Sequence, residues 1–277
     1  MSSKTEKIFI DFKDFHPTKS GGKFQGLGNL LRTEISRWRH SITWWLQMFA
    51  VIIFANGITF MAMLSSGGEE GIGLMMFPLM SGIFVSLSAM TMIQGAIVKE
   101  KVEGTAAWVL SKPVTRVAFM TSKFITNCIS MTLALVLLPW IVAYLMFTGM
   151  GEIPVNADTL TGLFLAMGIF WFYCMFWLTM ALMLGSIFKS RRPVMYGMVI
   201  VFFLFIGTGN LIPQAFNPLS FWPGTAKPDP SYTGQPISMI SDLLLGNLYI
   251  NWGPVVFGVC CILFLAIAFI RFSKVEL

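Results

Sequence analysis

Six long apolar runs, separated by polar stretches, dominate the pattern of the chain. They cover residues 41–64, 72–98, 124–148, 160–188, 193–212 and 252–270, and no Asp, Glu, Lys, Arg or His lies in their interiors. A helix needs about 20 consecutive apolar residues to cross the hydrocarbon core of a bilayer, so each run predicts a membrane-spanning helix. A seventh pattern precedes them. In residues 24–40 and just beyond, Leu27, Leu30, Leu31, Ile35, Trp38 and Ile42 recur at three- and four-residue spacing, with Arg32, Arg37 and Arg39 on other faces. That periodicity predicts an amphipathic helix lying in the membrane interface. Residues 1–23 are polar and predict a mobile tail. The expected fold class is an all-α membrane protein of six transmembrane helices, with residues 41–277 as the membrane domain.

Charge fixes the expected topology. Of the 19 Lys and Arg, eight precede the first span, five lie between the second and third, three between the fourth and fifth, and two in the tail. The alternate connections carry Glu69, Glu70, Glu152, Asp158, Asp229 and Asp242, with Lys227 the remaining cation. Positive charge in every second connection places those connections, and both termini, in the cytoplasm. Composition agrees: 56% of residues are hydrophobic and 12% charged, about half the charge a soluble domain carries. Trp44 and Trp45 at the start of the first span and Trp252 at the start of the sixth stand where interfacial indoles are expected. Trp171 and Trp177 fall inside the fourth span and are expected to pack there. The first apolar run is expected to act as an uncleaved anchor.

Some chemistry is excluded. Cys128, Cys174, Cys260 and Cys261 lie inside apolar runs without metal-ligand spacing and are expected as buried small residues. His16 and His40 are isolated. An intramembrane protease, an acyltransferase or a proton relay would need ionisable groups at membrane depth. Gln47, Asn56, Gln94, Asn127 and Asn210 are the polar side chains at or within the spans, fit for a path or for joining helices. The outer connection, 213–251, is broken in its first half by Pro213, Pro218, Pro223, Pro228, Pro230 and Pro236. Its second half carries Ile237, Ile240, Leu243, Leu244 and Leu248 at helical spacing, which predicts a short helix on or in the outer leaflet.

The connection at residues 99–123 is longer and more patterned than a tether between two spans requires. Glu100 and Glu103 precede Gly104, which permits a break. Thr105 is placed to cap a new helix. Ala106, Ala107, Trp108, Val109 and Leu110 form an apolar turn on the cytoplasmic side, and Pro113 ends it. Thr115 and Arg116 restart the chain toward the third span, with Lys123 at its boundary. A Trp-bearing apolar turn outside the membrane marks a contact, with a partner or with lipid headgroups.

The stretch from Glu100 to Thr105, the run Leu110-Ser111-Lys112-Pro113-Val114-Thr115-Arg116 and then Lys123 resemble the signature of ABC-2-type transporter permeases. Six spans, an N-terminal interfacial helix and an outer Asn217-Pro218 element are similar to that family too, although the Pro-rich outer connection is longer than in a minimal member. The resemblance implies the membrane permease subunit of an ATP-driven transporter, an exporter, in a prokaryotic cytoplasmic (inner) membrane. It implies two copies of an ABC ATPase subunit and a second permease, identical or paralogous. The chain lacks a Gly-x-x-x-x-Gly-Lys-Ser/Thr loop, so it is not expected to be an enzyme or to bind a cofactor or metal. ATP and Mg are expected on the partner ATPase, and nucleic acid is not an expected partner.

Under the resemblance, residues 105–110 form a coupling helix seated in an ATPase groove, with Trp108 and Leu110 as its buried contact. Glu100 and Glu103 would pair with basic groups at the groove rim. Gly104 and Pro113 would set the angles at either end, and Arg116 would tie the element to the acidic turn or to the interfacial helix. The alternatives are an ATPase-independent carrier or channel, and an assembly factor that keeps the fold without moving a substrate.

Overall fold

The computed structural model describes residues 22–66, 72–207, 243–244 and 253–274, and among these there is no β-strand. Among the described residues, α-helices follow in chain order. They are α1 Leu27–Arg39, α2 Ile42–Val51, α3 Gly57–Ser65, α4 Ile72–Ile93, α5 Val98–Val102, α6 Thr105–Leu110, α7 Arg116–Met131, α8 Leu138–Gly149, α9 Ala157–Ile187, α10 Arg191–Gly207 and α11 Gly253–Ser273. The polar tail, most of the outer connection, His16, Asn210, Asn217-Pro218 and Trp252 lie outside the described residues.

Local chemistry explains the helix starts. The Ser41 hydroxyl accepts from the Thr43 N–H ahead of α2, and Thr115 accepts from the Ala118 N–H ahead of α7. Asn156 and Thr159 form a reciprocal capping box at α9. Each satisfies an amide that the first helical turn leaves open.

Among the described residues, five helical stretches are long and apolar enough to cross a membrane: Ile42–Ser65, Ile72–Val102, Arg116–Gly149, Ala157–Ile187 and Val255–Ser273. The run expected as a fifth of six spans begins in α10, of 17 residues. Its expected continuation to residue 212 lies outside the described residues.

Two spans are wound more loosely than their apolar pattern predicts. A π-helical turn, Ile52–Asn56, joins α2 to α3, and another, Thr132–Leu137, joins α7 to α8. Pro139 follows the second. Its ring crowds the carbonyl four residues back and it has no N–H to donate, and a wider turn before it relieves both problems. The Asn56 amide donates to the Pro139 carbonyl at 3.1 Å, tying the first span to the third at these irregular turns. Asn56 therefore joins helices, the commoner of its two expected uses.

The core lies along α9, which packs chiefly on α11 and also on α4, α7 and α10. Aromatic rings run through it, from Phe77 to Trp140 at 5.0 Å, Trp140 to Phe170 at 5.4 Å and Phe170 to Tyr173 at 5.6 Å. The Tyr173 hydroxyl meets Ser86 and donates to the Gly82 carbonyl at 3.1 Å. Trp177 is buried as expected, and half-buried Trp171 donates to the Thr132 hydroxyl at 2.9 Å. Trp44, at the start of the first span, is packed within the protein. It is only 9% exposed and sits against Trp38 and Trp45, 4.7 and 4.0 Å away, while Trp45 stays exposed. The cysteines are free, Cys174 buried and the others half-buried.

Every lysine and arginine among the described residues lies at one end of the bundle. That end gathers α1, the α4–α7 connection, the α9–α10 turn and the end of α11. Glu152 and Asp158 lie at the opposite end, where Glu152 accepts from the Gly73 N–H. This segregation is the three-dimensional form of the alternating charge seen along the chain.

Candidate functional site

The site is built on the connection between α4 and α7, at the basic end. A turn at residues 94–97 separates α4 from α5. Gly104 then takes φ +69°, the left-handed conformation that ends α5. Its carbonyl accepts the Trp108 N–H at 3.1 Å and so opens α6. Thr105 does not cap α6 as expected. Its hydroxyl points back and donates to the Glu100 carbonyl at 3.3 Å, closing the preceding helix instead. After α6, the Val114 N–H reaches the Lys112 carbonyl at 2.6 Å across Pro113, a three-residue reversal that suits the fixed φ of proline.

The returning segment is stitched to the chain just before α1. The Thr115 hydroxyl donates to the Lys23 carbonyl at 2.6 Å, and the Thr115 N–H to the Gln25 carbonyl at 3.3 Å. Gly26, with φ +82°, lies so close to Val114 that a Cβ there would stand 2.7 Å from the valine Cγ2. Arg116 was expected to bind the acidic turn or α1. It donates instead to the Ser273 carbonyl at 2.5 Å, satisfying a free carbonyl at the end of α11.

Beneath this connection lies a buried charge cluster. The Lys123 ammonium contacts the carboxylates of Glu100 and Glu34, the latter at 2.9 Å. Arg37 reaches Glu100 at 2.9 Å and Glu34 at 3.4 Å. The side chains of Lys123, Glu100 and Glu34 are 5%, 8% and 15% exposed, whereas that of Arg37 is 62% exposed. Partial burial pulls the Arg37 guanidinium down, but the carboxylates of Glu34 and Glu100 outweigh it and leave its pKa above the ordinary value. Two acids and two bases balance, which is the condition for holding charge away from water. Glu100 was expected at the rim of a partner's groove; it faces inward because Lys123 and Arg37 supply its counter-charges within the chain. Glu103 remains exposed and, among the described residues, makes no ion pair.

Helix α6 has two unlike faces. Ala106 is buried, and Val109 and Leu110 pack against the core. Trp108 is 63% exposed, with the Lys112 ammonium 3.7 Å above its ring, and Val102 is 68% exposed nearby in the chain. Leu110 therefore serves the bundle, and Trp108 alone of the expected apolar pair faces outward. The connection brings Glu100 and Thr105 together, sets Gly104 and Pro113 at the two ends of α6, and holds Arg116 apart from them at the end of α11.

Sequence reasoning gave no site role to Glu34, Arg37 or Lys123, nor to the turn at Lys23–Gly26. A signal existed for Glu34. It is the sole acid in residues 24–40 and falls on the apolar stripe, four residues after Leu30 and four before Trp38. An acid on the buried stripe of a helix calls for a buried base.

The family model for ABC-2 family transporter protein matches residues 14–277. The chain belongs to that family, and it is a membrane permease of an ABC transporter. Membership carries with it association with an ABC ATPase. No curated protein matches the chain.

Proposed function

We propose, from membership of the ABC-2 family, that this chain is the six-span permease half of an ATP-driven exporter whose α6 seats in a groove on the ATPase. The carrying observation is the exposed Trp108 on a short helix whose opposite face is locked into the bundle. A large indole left bare on a rigid element is the form an interface anchor takes. Two ATPase subunits hold ATP and Mg, and two permeases, identical or paralogous, complete the complex. The basic end of the bundle faces the cytoplasm under the positive-inside rule, with both termini on that side, and by resemblance to the family the membrane is a prokaryotic inner one. α1 lies along that surface with Arg32 and Arg39 toward the headgroups.

Mechanism follows from rigidity. ATP-driven closure of the ATPases moves α6. Because Thr115, Gly26 and the charge cluster fasten the connection to α1 and α7, the push passes to the spans rather than being absorbed in a flexible loop. Gly104 and Pro113 hold α6 at its angle, and Val102, Glu103 and Trp108 face the partner.

Co-purification from native membrane tests this reading. A stoichiometric ATPase should accompany the wild-type chain, and Trp108→Ala should weaken the complex by about 2–4 kcal/mol. Undiminished association of the variant removes α6 as the docking element. Absence of any accompanying ATPase favours a carrier, a channel or an assembly factor.

A further inference from the structure

A second feature lies at the basic end, beside the surface proposed to meet the ATPase and sharing Val102 and Glu103 with it. A cavity of about 420 Å³ opens beside α5 and the start of α10, lined by Lys99, Val102, Glu103, Ser190, Arg191 and Arg192. Its volume lies within the ~300–1,000 Å³ of small-molecule sites. Three cations and one acid line it. Among the described residues none of the three cations lies within ion-pair distance of an acid. Nearby Lys101 behaves otherwise: its ammonium donates to the Gly185 and Ser186 carbonyls, both at 2.8 Å, and closes α9.

The wall of the cavity is shaped for an anion. α10 starts at Arg191, so its first amides and the positive end of its dipole lie at the cavity. The Arg191 side chain lies alongside Gly95, in the turn before α5, with its Nε 3.6 Å from where a Cβ would stand, an ordinary packing distance. Guanidinium groups are suited to two-point contact with phosphate oxygens. Location narrows the source of the phosphate. Ile187 and Phe188 just before the lining residues, and Met195 and Tyr196 just after them, are exposed apolar or aromatic side chains at the end of α9 and in the first turns of α10. They would lie along acyl chains while the cations hold a headgroup.

We propose that this cavity binds a phosphate oxyanion, presented by the headgroup of an anionic phospholipid. The proposal does not depend on α6 or on any ATPase.

The test uses the full chain in nanodiscs of neutral phosphatidylcholine. One arm adds short-chain phosphatidic acid and the other inorganic phosphate, with native mass spectrometry counting bound ligand. Wild type should retain phosphatidic acid, and R191Q/R192Q should bind it about tenfold more weakly. The charge-matched K23Q/K274Q, altered at two exposed lysines of the basic end that do not line the cavity, should stay within about twofold of wild type. E103Q should bind more tightly, a change of sign that misfolding does not produce. Retention in the lipid arm alone assigns the lipid source, and retention in both arms supports the site with free phosphate as a second source. Absence of binding in both arms overturns the proposal. Equal losses in the two double variants also overturn it, since they reduce the cavity to unspecific surface charge.

Discussion

On its inner side, the connection between α4 and α7 is held by ion pairs, hydrogen bonds and packing. Glu100 lies between Lys123 and Arg37, Thr115 bonds to the strand of chain before α1, and Ala106, Val109 and Leu110 pack inward. On its outer side, Val102, Glu103 and Trp108 stand exposed. The same 25 residues thus present one face saturated with partners and one nearly bare. Ordinary folding explains the first face, because buried polar groups must be paired. It does not explain the second. An indole kept out of the core by a left-handed glycine and a proline reversal gains nothing for the stability of this chain, so its placement answers to something outside it.

The largest effect should come from the inner face. Lys123→Met removes the cation shared by two carboxylates and leaves Glu34 and Glu100 with the largely exposed Arg37. A loss of about 3–5 kcal/mol is expected, as when one partner of a buried pair is removed. Thermal unfolding of the detergent-solubilised chain would read it. The double variant Glu100→Gln/Lys123→Met should recover part of the loss, because it deletes an acid along with its base. A single variant as stable as wild type would break the inner half of the comparison.

Much of this architecture was written in local pattern. Apolar runs marked the five membrane-length helices among the described residues, and three- and four-residue spacing anticipated the helix α1. Gly104 and Pro113 bounded α6 because each restricts the backbone in a way a sequence displays. What remained hidden depended on residues distant along the chain. Glu34 and Lys123 are separated by 89 positions, and nothing local says which base an acid will meet. Glu100 looked like a surface charge for the same reason. Thr105 preceded an apolar turn as a cap does, yet its hydroxyl found the Glu100 carbonyl behind it. The π turns in the first and third spans escaped the apolar pattern because side-chain hydropathy does not record how tightly the backbone is wound. Pro139 was the one sequence hint at the second.

Gly26→Ala probes the stitch between the returning segment and α1. A side chain at φ +82° costs about 1–2 kcal/mol, and its Cβ would also press on Val114 Cγ2. Adding Val114→Ala should relieve the contact and leave the backbone cost, so the double variant should melt between Gly26→Ala and wild type. Arg37→Gln should cost less, about 1 kcal/mol or below, because its guanidinium is largely in water and screened. The gap between Lys123 and Arg37, two bases on the same carboxylates, reflects chiefly their difference in burial. Added salt should shrink the Arg37 effect and leave that of Lys123 nearly unchanged.

The smallest effect on stability should be that of Trp108→Ala. The indole is 63% exposed, and its described ring contact is with Lys112, itself exposed. Removing it should shift the unfolding free energy of the isolated chain by less than about 0.5 kcal/mol. The same substitution is expected to cost several times that in ATPase association, and the ratio of the two losses is what separates a docking residue from a packing residue. If Trp108→Ala instead lowered stability as much as Gly26→Ala, the indole would be resting on its own bundle. The outer face would then be no different in kind from the inner one.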